Sequence, residues 1–506
     1  MTKRKPKYKP LYFTTTIRNP ERIKPFLEIF VKYNNKVLDN SLIIEICKDL
    51  IKENLYTPTD ISKEVKEKLK SGISITNEEA QKIIEDNPQN HKEAGFERGW
   101  ASRFDTWFRI TKELGFVYYE YGKKINFSKI GLMLIDKERP ELEQQAFLNS
   151  FVKLQSNNPF KRVLNENAPL ILLLQTIKKL NANKKYNGKG ITRKEIPIVI
   201  CWKDNDSEAL YKQILEVRKK YRYNPSNEVI LDICDKQLGG RHNSNKDKTL
   251  VQEYPDEFLR KMRLTGLITI RGFGRFIDLN TKEIKKIDYA IKKYFKYKKY
   301  KTEKEYFDYV SSIDRKLFSF DVEPVIDIQV ERTLLIKWAE YYKWNKVKEE
   351  LTKLSTNQSS KDEILRLIPA PLRLEFLSSL AIVLKYPNIF VKPNYISDDE
   401  GLPSSYAIGG KPDIECEELK KYVLVEVTML TGTQQTIREM PSISRHLKDK
   451  IEQKQEAISF FVAPIVHHDT KQYSDFLKYK EKLKVFPFSI NEFLENLEQN
   501  KNLYIE

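Results

Sequence analysis

Cysteine is scarce in this chain: four are spread among 506 residues, at Cys47, Cys201, Cys234 and Cys416. No two of them have the close spacing of zinc ligands, and four thiols are too few for a disulfide framework in so long a chain. This usage is typical of a protein that works in a reducing compartment, so we expect a cytoplasmic location.

Long hydrophobic runs are also missing. No stretch of about eighteen apolar residues occurs, so the sequence predicts no membrane span and no membrane partner. The N-terminal residues 1–7 are basic, but no apolar segment follows them. This pattern excludes a secretory signal of the usual kind.

Acidic residues are outnumbered by basic ones. The chain carries 89 Lys and Arg against 71 Asp and Glu, which gives a net charge of +18. Basic side chains that neutralise phosphates release bound counterions, so this excess favours a nucleic-acid partner. The alternative is compositional drift, because abundant Lys, Asn and Ile are typical of an AT-rich genome. The length predicts roughly three domains.

Residues 1–145 are predicted to form a first recognition unit. A helix over residues 99–114 is followed by Gly115, which is placed to end it. Residues 116–127 then alternate as in a β-hairpin with a Gly-Lys turn. A helix followed by a basic hairpin is the order found in winged-helix DNA-binding domains.

Residues 146–295 show the same order of elements without being a sequence repeat. Thr192 and Glu195 have the spacing of a capping box that starts a helix. A helix near residues 254–265 precedes an alternating stretch over 267–279 with a glycine-rich turn. We therefore predict a second winged-helix-like unit.

Arginines beside these elements are candidates for reading bases, because arginine pairs with guanine in the major groove. Structural or phosphate contacts are the alternative for each of them. The candidates are Arg98, Arg103, Arg241, Arg271 and Arg275.

Residues 282–304 mix lysines with aromatic side chains. One interpretation is a solvated helix whose aromatic residues pack inward. The other is a connector that lies along DNA, with phosphate contacts and stacking on bases or sugars. Residues 296–330 are predicted to link the recognition units to a third domain.

The clearest chemical signal lies in residues 331–506, where long helices give way to short strands. Asp413 opens one short strand candidate, and Glu426 stands inside an apolar strand candidate. A carboxylate in such a run is costly unless it is paired or binds a cation. On neighbouring strands, Asp413, Glu426 and the Val427 carbonyl would hold a divalent cation through oxygen atoms. This pattern predicts a magnesium-dependent nuclease of the PD-(D/E)xK type.

Other polar residues extend this candidate site. Glu375 lies on a mostly apolar helix candidate, and Glu439 and His446 have the spacing of one helix face. Solvated helix acids and a structural histidine are the alternative interpretations. The adjacent His467 and His468 are predicted to lie on a strand, where neighbours point to opposite faces, and we leave them structural.

These segments together resemble the AlwI-like type IIS restriction endonucleases, a family that includes GAGTC-specific nicking enzymes. The resemblance rests on residues 11–23, 411–413, 424–428, 439, 444–447, 461–464 and 469–470. It implies an active site made of Glu375, Asp413, Glu426, Glu439 and His446. Thr428 stands where PD-(D/E)xK nucleases usually carry a lysine, which leaves the general base unassigned.

The resemblance implies a bacterial enzyme that binds a short asymmetric site in double-stranded DNA as a monomer. It would cut a few base pairs outside that site with one or two Mg²⁺ ions. Cutting both strands would need a transient homodimer, or a small catalytic partner subunit, through the nuclease domain. The alternatives are a strand-specific nicking endonuclease (large subunit), a winged-helix DNA-binding protein with an inactive nuclease-like domain, and a transposase-like DDE enzyme that joins strands.

The expected fold class is multidomain α+β. Winged-helix-like recognition domains are expected at residues 1–145 and 146–295, followed by a linker at 296–330. A PD-(D/E)xK α/β nuclease domain is expected at residues 331–506.

Overall fold

A computed structural model describes the chain over most of its length. The described residues are 17, 19–70, 73, 75–186, 188–240, 246–320, 328–418, 420–453 and 455–505. They are a mixture of helices and strands in two compact units. The first unit comprises Met1–Leu50, Pro88–Lys137 and Leu142–Val322, and the second comprises Ile51–Asn87, Glu138–Glu141 and Glu323–Glu506. No helix in the described part is long and apolar enough to cross a bilayer.

The α-helices, in chain order, are α1 (Ile23–Phe30), α2 (Asn40–Lys52), α3 (Lys63–Lys70), α4 (Asn77–Asp86), α5 (Trp100–Glu113), α6 (Lys129–Leu134), α7 (Leu142–Phe151), α8 (Pro169–Ala182), α9 (Ile196–Cys201), α10 (Ser207–Tyr221), α11 (Asn227–Gln237), α12 (Tyr254–Arg263), α13 (Ile284–Tyr294), α14 (Glu303–Ser311), α15 (Arg315–Phe318), α16 (Ile328–Ser355), α17 (Ala370–Lys385), α18 (Met440–Glu452), α19 (His468–Phe476) and α20 (Ile490–Gln499). Helix α16 is broken at Lys343, whose φ is +56°.

The strands are β1 (Val117–Tyr118), β2 (Asn126–Phe127), β3 (Ile191–Thr192), β4 (Ile268–Arg271), β5 (Phe276–Leu279), β6 (Phe390–Pro393), β7 (Ile396–Ser397), β8 (Pro403–Ser405), β9 (Ile414–Glu418), β10 (Lys421–Val427), β11 (Glu456–Ala463) and β12 (Val485–Ser489). β1 pairs with β2, β7 pairs with β8, and β3, β5 and β4 form a sheet in that order. The remaining strands form one five-stranded sheet.

Helix α5 and the β1–β2 hairpin in the first unit confirm their sequence prediction. The helix ends before Gly115, whose φ of +74° suits a residue without a β-carbon. The hairpin turns at Gly122 (φ +76°), where the amide of Lys123 donates to the Glu120 carbonyl. Val37 also forms an antiparallel bridge with the residue at 124, so a third segment borders the hairpin.

Aromatic rings form the core beneath α1 and α5. The Phe30 ring lies 4.6 Å from Phe108 and 5.4 Å from Phe104, measured between ring centroids. Tyr119, just after β1, packs on Phe104 at 5.4 Å. Edge-to-face and tilted ring pairs of this kind add to the burial energy. The apolar spacing of α5 is therefore explained by one aromatic core.

The sheet of β3, β5 and β4 follows α8 in the chain. The capping box of Thr192 and Glu195 is confirmed, but it starts a 3₁₀ turn, and α9 begins only at Ile196. The predicted hairpin over residues 267–279 is confirmed as β4 and β5. β3 pairs with β5 on the side away from β4. Helix α12 runs directly into this hairpin.

The segment predicted as a linker, residues 296–330, contains helices α14 and α15. Helix α14 packs against α5 and α7, and its Tyr306 is fully buried, with its hydroxyl oxygen accepting from the Gln155 amide. Within residues 282–304, Tyr294 is buried and donates to Asp314, so this aromatic residue packs inward as the first interpretation predicts. Residues 282–304 belong to the first unit.

The five-stranded sheet of the second unit has the order β12-β11-β10-β9-β6. β10 runs parallel to β11 and antiparallel to β9, which makes the sheet mixed. Leu424 of β10 and Phe461 of β11 pack in one cluster with Met440 and Leu447 of α18. Because neighbouring side chains on a strand point to opposite faces, the buried Val425 faces the other side of the sheet. Burial of both faces explains why β10 reads as a continuous apolar run.

Candidate active site

Asp413 and Glu426 lie at adjacent ends of the antiparallel strands β9 and β10. Asp413 directly precedes β9, and Glu426 is the penultimate residue of β10, where Val425 pairs with Ile414. The backbone amide of Val427 donates to Oδ2 of Asp413 over 2.7 Å. The predicted placement of the two acids on neighbouring strands is therefore confirmed.

Glu375 lies on the apolar helix α17, which packs against β10. Pro371 stands in the first turn of the helix, where its missing N–H costs no hydrogen bond. The Glu375 side chain is buried, and its Oε2 has no hydrogen-bond partner among the described residues. A buried carboxyl group without a partner is costly and points to a function rather than to stability.

Glu439 follows β10 in the chain, and its side chain contacts Thr428, which lies just after that strand. It closes a π-helical turn, Gln435–Glu439, that continues directly into α18. The Thr428 hydroxyl donates to Oε1 of Glu439 over 3.3 Å and accepts from the Leu430 amide over 3.1 Å. This contact was not predicted from the sequence. The signal there is that Thr428 stands where PD-(D/E)xK nucleases usually carry a lysine.

His446 lies on α18 and faces Glu426. Its Nδ1–H donates to Oε1 of Glu426 over 2.7 Å, since a carboxylate oxygen accepts. Its Nε2 is buried and has no hydrogen-bond partner among the described residues. Glu439 is the N-cap of α18, the helix that carries His446, and the His446 side chain contacts Glu426.

The four carboxyl groups repel one another in a poorly solvated region. Burial, together with the charges of Glu375 and Glu426, raises the pKa of Asp413 well above its ordinary value. Burial and the Glu426 charge raise the pKa of Glu375 to about 8 and that of Glu439 to about 7. Such mutual perturbation is typical of a functional site.

The stability of the metal-free protein is expected to fall as the pH rises through neutrality. Because burial raises the pKa of Glu375, the folded protein holds this proton more tightly than the unfolded chain does. The stabilisation that comes from protonated Glu375 is complete below the ordinary glutamate pKa of about 4.3 and is lost as the pH approaches about 8. The free energy of unfolding falls by no more than about 1.4 kcal/mol per pH unit over this range. Melting temperatures in chelator, from about pH 5.5 to about pH 8.5, should decline less steeply for Glu375→Gln. Equal slopes for both proteins would contradict this origin.

The donor set suits a hard divalent cation. Asp413 and Glu426 supply carboxylate oxygens, and the uncompensated negative charge around them is what a cation would neutralise. Within the described ranges, no three His, Cys, Asp or Glu side chains form a ready-made metal-binding group. A cation at Asp413 and Glu426 would therefore take backbone carbonyl or water oxygens as its further ligands, as Mg²⁺ commonly does.

Arg98 and Arg103 lie at the N-terminal end of α5. Arg98 is exposed, and its Nη2 donates to Oδ1 of Asn90 over 3.4 Å. Arg103 is half-buried, with its Nη1 2.8 Å from Nε2 of His91. Arg241 lies outside the described residues. Arg98 is therefore more exposed than Arg103.

The β4–β5 hairpin holds its two arginines differently. Arg271 is half-buried and pairs with Asp278 of the opposite strand at 3.3 Å, and its Nη2 donates to the Leu279 carbonyl. Arg275 is exposed in the turn and lies over the ring of Tyr223. Arg271 therefore stabilises the hairpin, whereas Arg275 is presented to solvent.

The strand prediction for His467 and His468 is wrong. His467 is the N-cap of α19, and its Nδ1 accepts from the Asp469 amide over 3.3 Å. His468 is the first residue of that helix. Strand β11 ends earlier, at Ala463, because Pro464 and the capping contact start a new element. The local capping pattern overrode the apparent continuation of the strand.

Comparison with solved structures finds restriction endonucleases at low sequence identity and low TM-score. The small subunit (R.BspD6I2) of the heterodimeric restriction endonuclease R.BspD6I is 22% identical, over 31% of this chain and 77% of that chain, with a TM-score of 0.26. Restriction endonuclease FokI is 12% identical over 98% of this chain and 97% of that chain (TM-score 0.26). FokI bound to DNA is 12% identical over 95% of each chain (TM-score 0.21).

No curated protein matches the sequence. The model of the AlwI restriction endonuclease family matches residues 112–360 and 321–495, which together exceed half of the chain. The chain therefore belongs to the AlwI restriction endonuclease family.

Proposed function

We propose that this protein is a type IIS restriction endonuclease that hydrolyses DNA phosphodiester bonds with Mg²⁺ held at Asp413 and Glu426. The observation that carries the proposal is the placement of these two acids at adjacent strands, beside the buried Glu375 and the half-buried Glu439. Family membership supports the reaction class. The catalytic set proposed is Glu375, Asp413, Glu426, Glu439 and His446.

Asp413, Glu426 and the Val427 carbonyl are the proposed ligands. Mg²⁺ held there would polarise the scissile phosphate, lower the pKa of a bound water and shield the leaving oxygen. The Val427 amide keeps Asp413 in place, and Glu439 orders the attacking water or serves a second cation. The water oxygen forms a bond to phosphorus, the bond to the 3′-oxygen breaks, and the net transfer of one proton leaves 5′-phosphate and 3′-hydroxyl ends.

His446 is proposed to position Glu426. Its Nδ1–H holds one oxygen of that carboxylate, so the other oxygen is oriented for the cation. Hydrogen bonds from a second residue commonly fix the direction of a metal-binding carboxylate.

A PD-(D/E)xK nuclease core at residues 331–506 is supported by the mixed sheet with its acids at β9 and β10. Helices α17 and α18 bring the remaining candidate residues to these strands. Thr428 departs from the usual lysine. A transposase-like DDE enzyme remains the less favoured alternative, and a strand-transfer product would identify it.

Two winged-helix-like units are proposed for recognition, within residues 1–145 and 146–295. In the second, β3 follows α8, α12 precedes the hairpin, and the sheet order is β3-β5-β4. In the first, the bridge from Val37 lies beside the β1–β2 hairpin in the equivalent place. The exposed Arg98 and Arg275 are the most accessible candidates for DNA contact; Arg103, Arg241 and Arg271 complete the proposed set.

The described residues form one such acid cluster, so we propose that cutting both strands requires a second nuclease domain. We propose a transient homodimer, or a small catalytic partner subunit, for that purpose. A strand-specific nicking endonuclease is the alternative if neither forms. A winged-helix DNA-binding protein with an inactive nuclease-like domain is the alternative outside the enzymes.

Incubation with supercoiled plasmid and Mg²⁺, followed by run-off sequencing of both strands, tests the proposal. We expect breaks at a fixed offset from one short asymmetric motif. Breaks on both strands indicate a type IIS enzyme, and breaks on one strand indicate a nickase. Specific binding without any break would contradict the proposed hydrolysis and favour the DNA-binding alternative.

A further inference from the structure

Thr428 occupies the position, two residues after Glu426, at which nucleases with this acid pattern usually carry a lysine. The residue is 8% exposed and lies just beyond β10. Its own amide donates to the Val462 carbonyl of β11 over 2.9 Å, so the backbone here continues the sheet. The side chain is therefore held on a rigid element next to the acid cluster.

The Thr428 hydroxyl has two hydrogen-bond partners, the Leu430 amide and Oε1 of Glu439. The Leu430 amide can only donate, so the hydroxyl oxygen accepts at that contact, over 3.1 Å. The hydroxyl hydrogen then remains for Oε1 of Glu439, 3.3 Å away. One oxygen of the Glu439 carboxyl group is thus held by the chain itself.

The turn that carries Glu439 is tied to the same loop. Nε2 of Gln435, which is fully buried, donates to the carbonyls of Leu430 and Ile465 over 2.8 Å and 2.7 Å. Leu430 therefore anchors both Thr428, through its amide, and the start of the Gln435–Glu439 turn, through its carbonyl. This closed set of hydrogen bonds fixes Glu439 at its backbone and at its side chain.

We infer that Thr428 is a positioning residue for Glu439, and that this pair takes the place of the missing lysine. The inference rests on the proposed nuclease function. A threonine adds no positive charge, so its contribution is the orientation of the Glu439 carboxylate. With Oε1 held by Thr428, the second oxygen is the one that orders the attacking water.

The test compares Thr428→Val, which keeps the shape of the side chain and loses the hydroxyl, with Thr428→Ser, which keeps the hydroxyl. The matched control is Thr176→Val, because Thr176 is also buried and also uses its hydroxyl in a hydrogen bond, to the Leu172 carbonyl, but belongs to the first unit. Single-turnover cleavage is measured at saturating enzyme on a duplex that contains the mapped site. DNA affinity is measured separately with Ca²⁺ in place of Mg²⁺.

We expect Thr428→Val to lower the single-turnover rate by about 10- to 100-fold, the effect of losing one hydrogen bond to a charged group. DNA affinity should stay within about 2-fold, and Thr428→Ser and Thr176→Val should keep the rate within about 3-fold of the wild type. If Thr428→Val does not fold, Thr428→Ala carries the same comparison with Ser.

An unchanged rate in the variant without the hydroxyl would overturn the inference, as would an equal loss in the Thr428→Ser or Thr176→Val variant. A loss that appears in affinity and not in rate would overturn it as well. None of these results contradicts the proposed function, provided that the wild-type protein cleaves DNA. An inactive wild type would instead contradict the proposed function itself.

Discussion

Asp413→Asn is expected to reduce DNA cleavage by at least about 10³-fold while leaving specific binding unchanged. The amide keeps the size of the side chain but loses the charge that the proposed cation needs. A group that acts in the transition state typically costs at least this much when it is removed. Cleavage is measured with Mg²⁺ on a duplex carrying the mapped site, and binding is measured on the same duplex with Ca²⁺.

Glu415→Gln provides the matched control for this prediction. Glu415 lies on β9 two residues after Asp413, and it pairs with Lys450 at 2.9 Å and with Lys392 at 3.8 Å. Its carboxylate is therefore neutralised by the chain and belongs to no uncompensated cluster. The control should keep cleavage within about 3-fold, because partly exposed ion pairs contribute little. Substantial cleavage by Asp413→Asn would remove Asp413 from the proposed site.

Features set by neighbours in the chain were predictable from the sequence. The end of α5 at Gly115, the Thr192–Glu195 capping box and the β4–β5 hairpin all depend on local patterns. The adjacency of the strand that follows Asp413 and the strand that carries Glu426 was predictable for the same reason, because only a short polar segment joins them. Local rules fix such features before any tertiary contact forms.

Features set by distant contacts were not predictable. Residues 51–87 cluster with the C-terminal unit, although the chain order placed them within a first recognition domain. The bridge from Val37 joins residues far apart in sequence and leaves no local signal. The contact of His446 with Glu426 depends on how α18 crosses the sheet. In each case tertiary packing determines the contact partner, and the periodicity of a single sequence does not predict that partner.

Arg218→Met is expected to destabilise the first unit by about 3–5 kcal/mol, because it leaves a buried carboxylate unpaired. Neither side chain of the Arg218–Glu195 pair is exposed. Nε and Nη2 of Arg218 donate to the two oxygens of Glu195, each over 2.8 Å, and Nη2 also donates to the Gly190 carbonyl. Hydrogen exchange, followed peptide by peptide, should show about 10²- to 10³-fold faster exchange in α8–α12.

Two comparisons decide whether the stranded charge is the cause. The double variant Glu195→Met/Arg218→Met, which removes both partners, should lose less stability than Arg218→Met alone. Replacing a buried ion pair by apolar side chains is often nearly neutral. Lys178→Met breaks the exposed pair with Asp288 and should change stability by less than about 1 kcal/mol. If the double variant were the less stable one, packing around Arg218, rather than its charge, would hold this part of the unit together. If Lys178→Met matched Arg218→Met, burial would not be what makes the pair important.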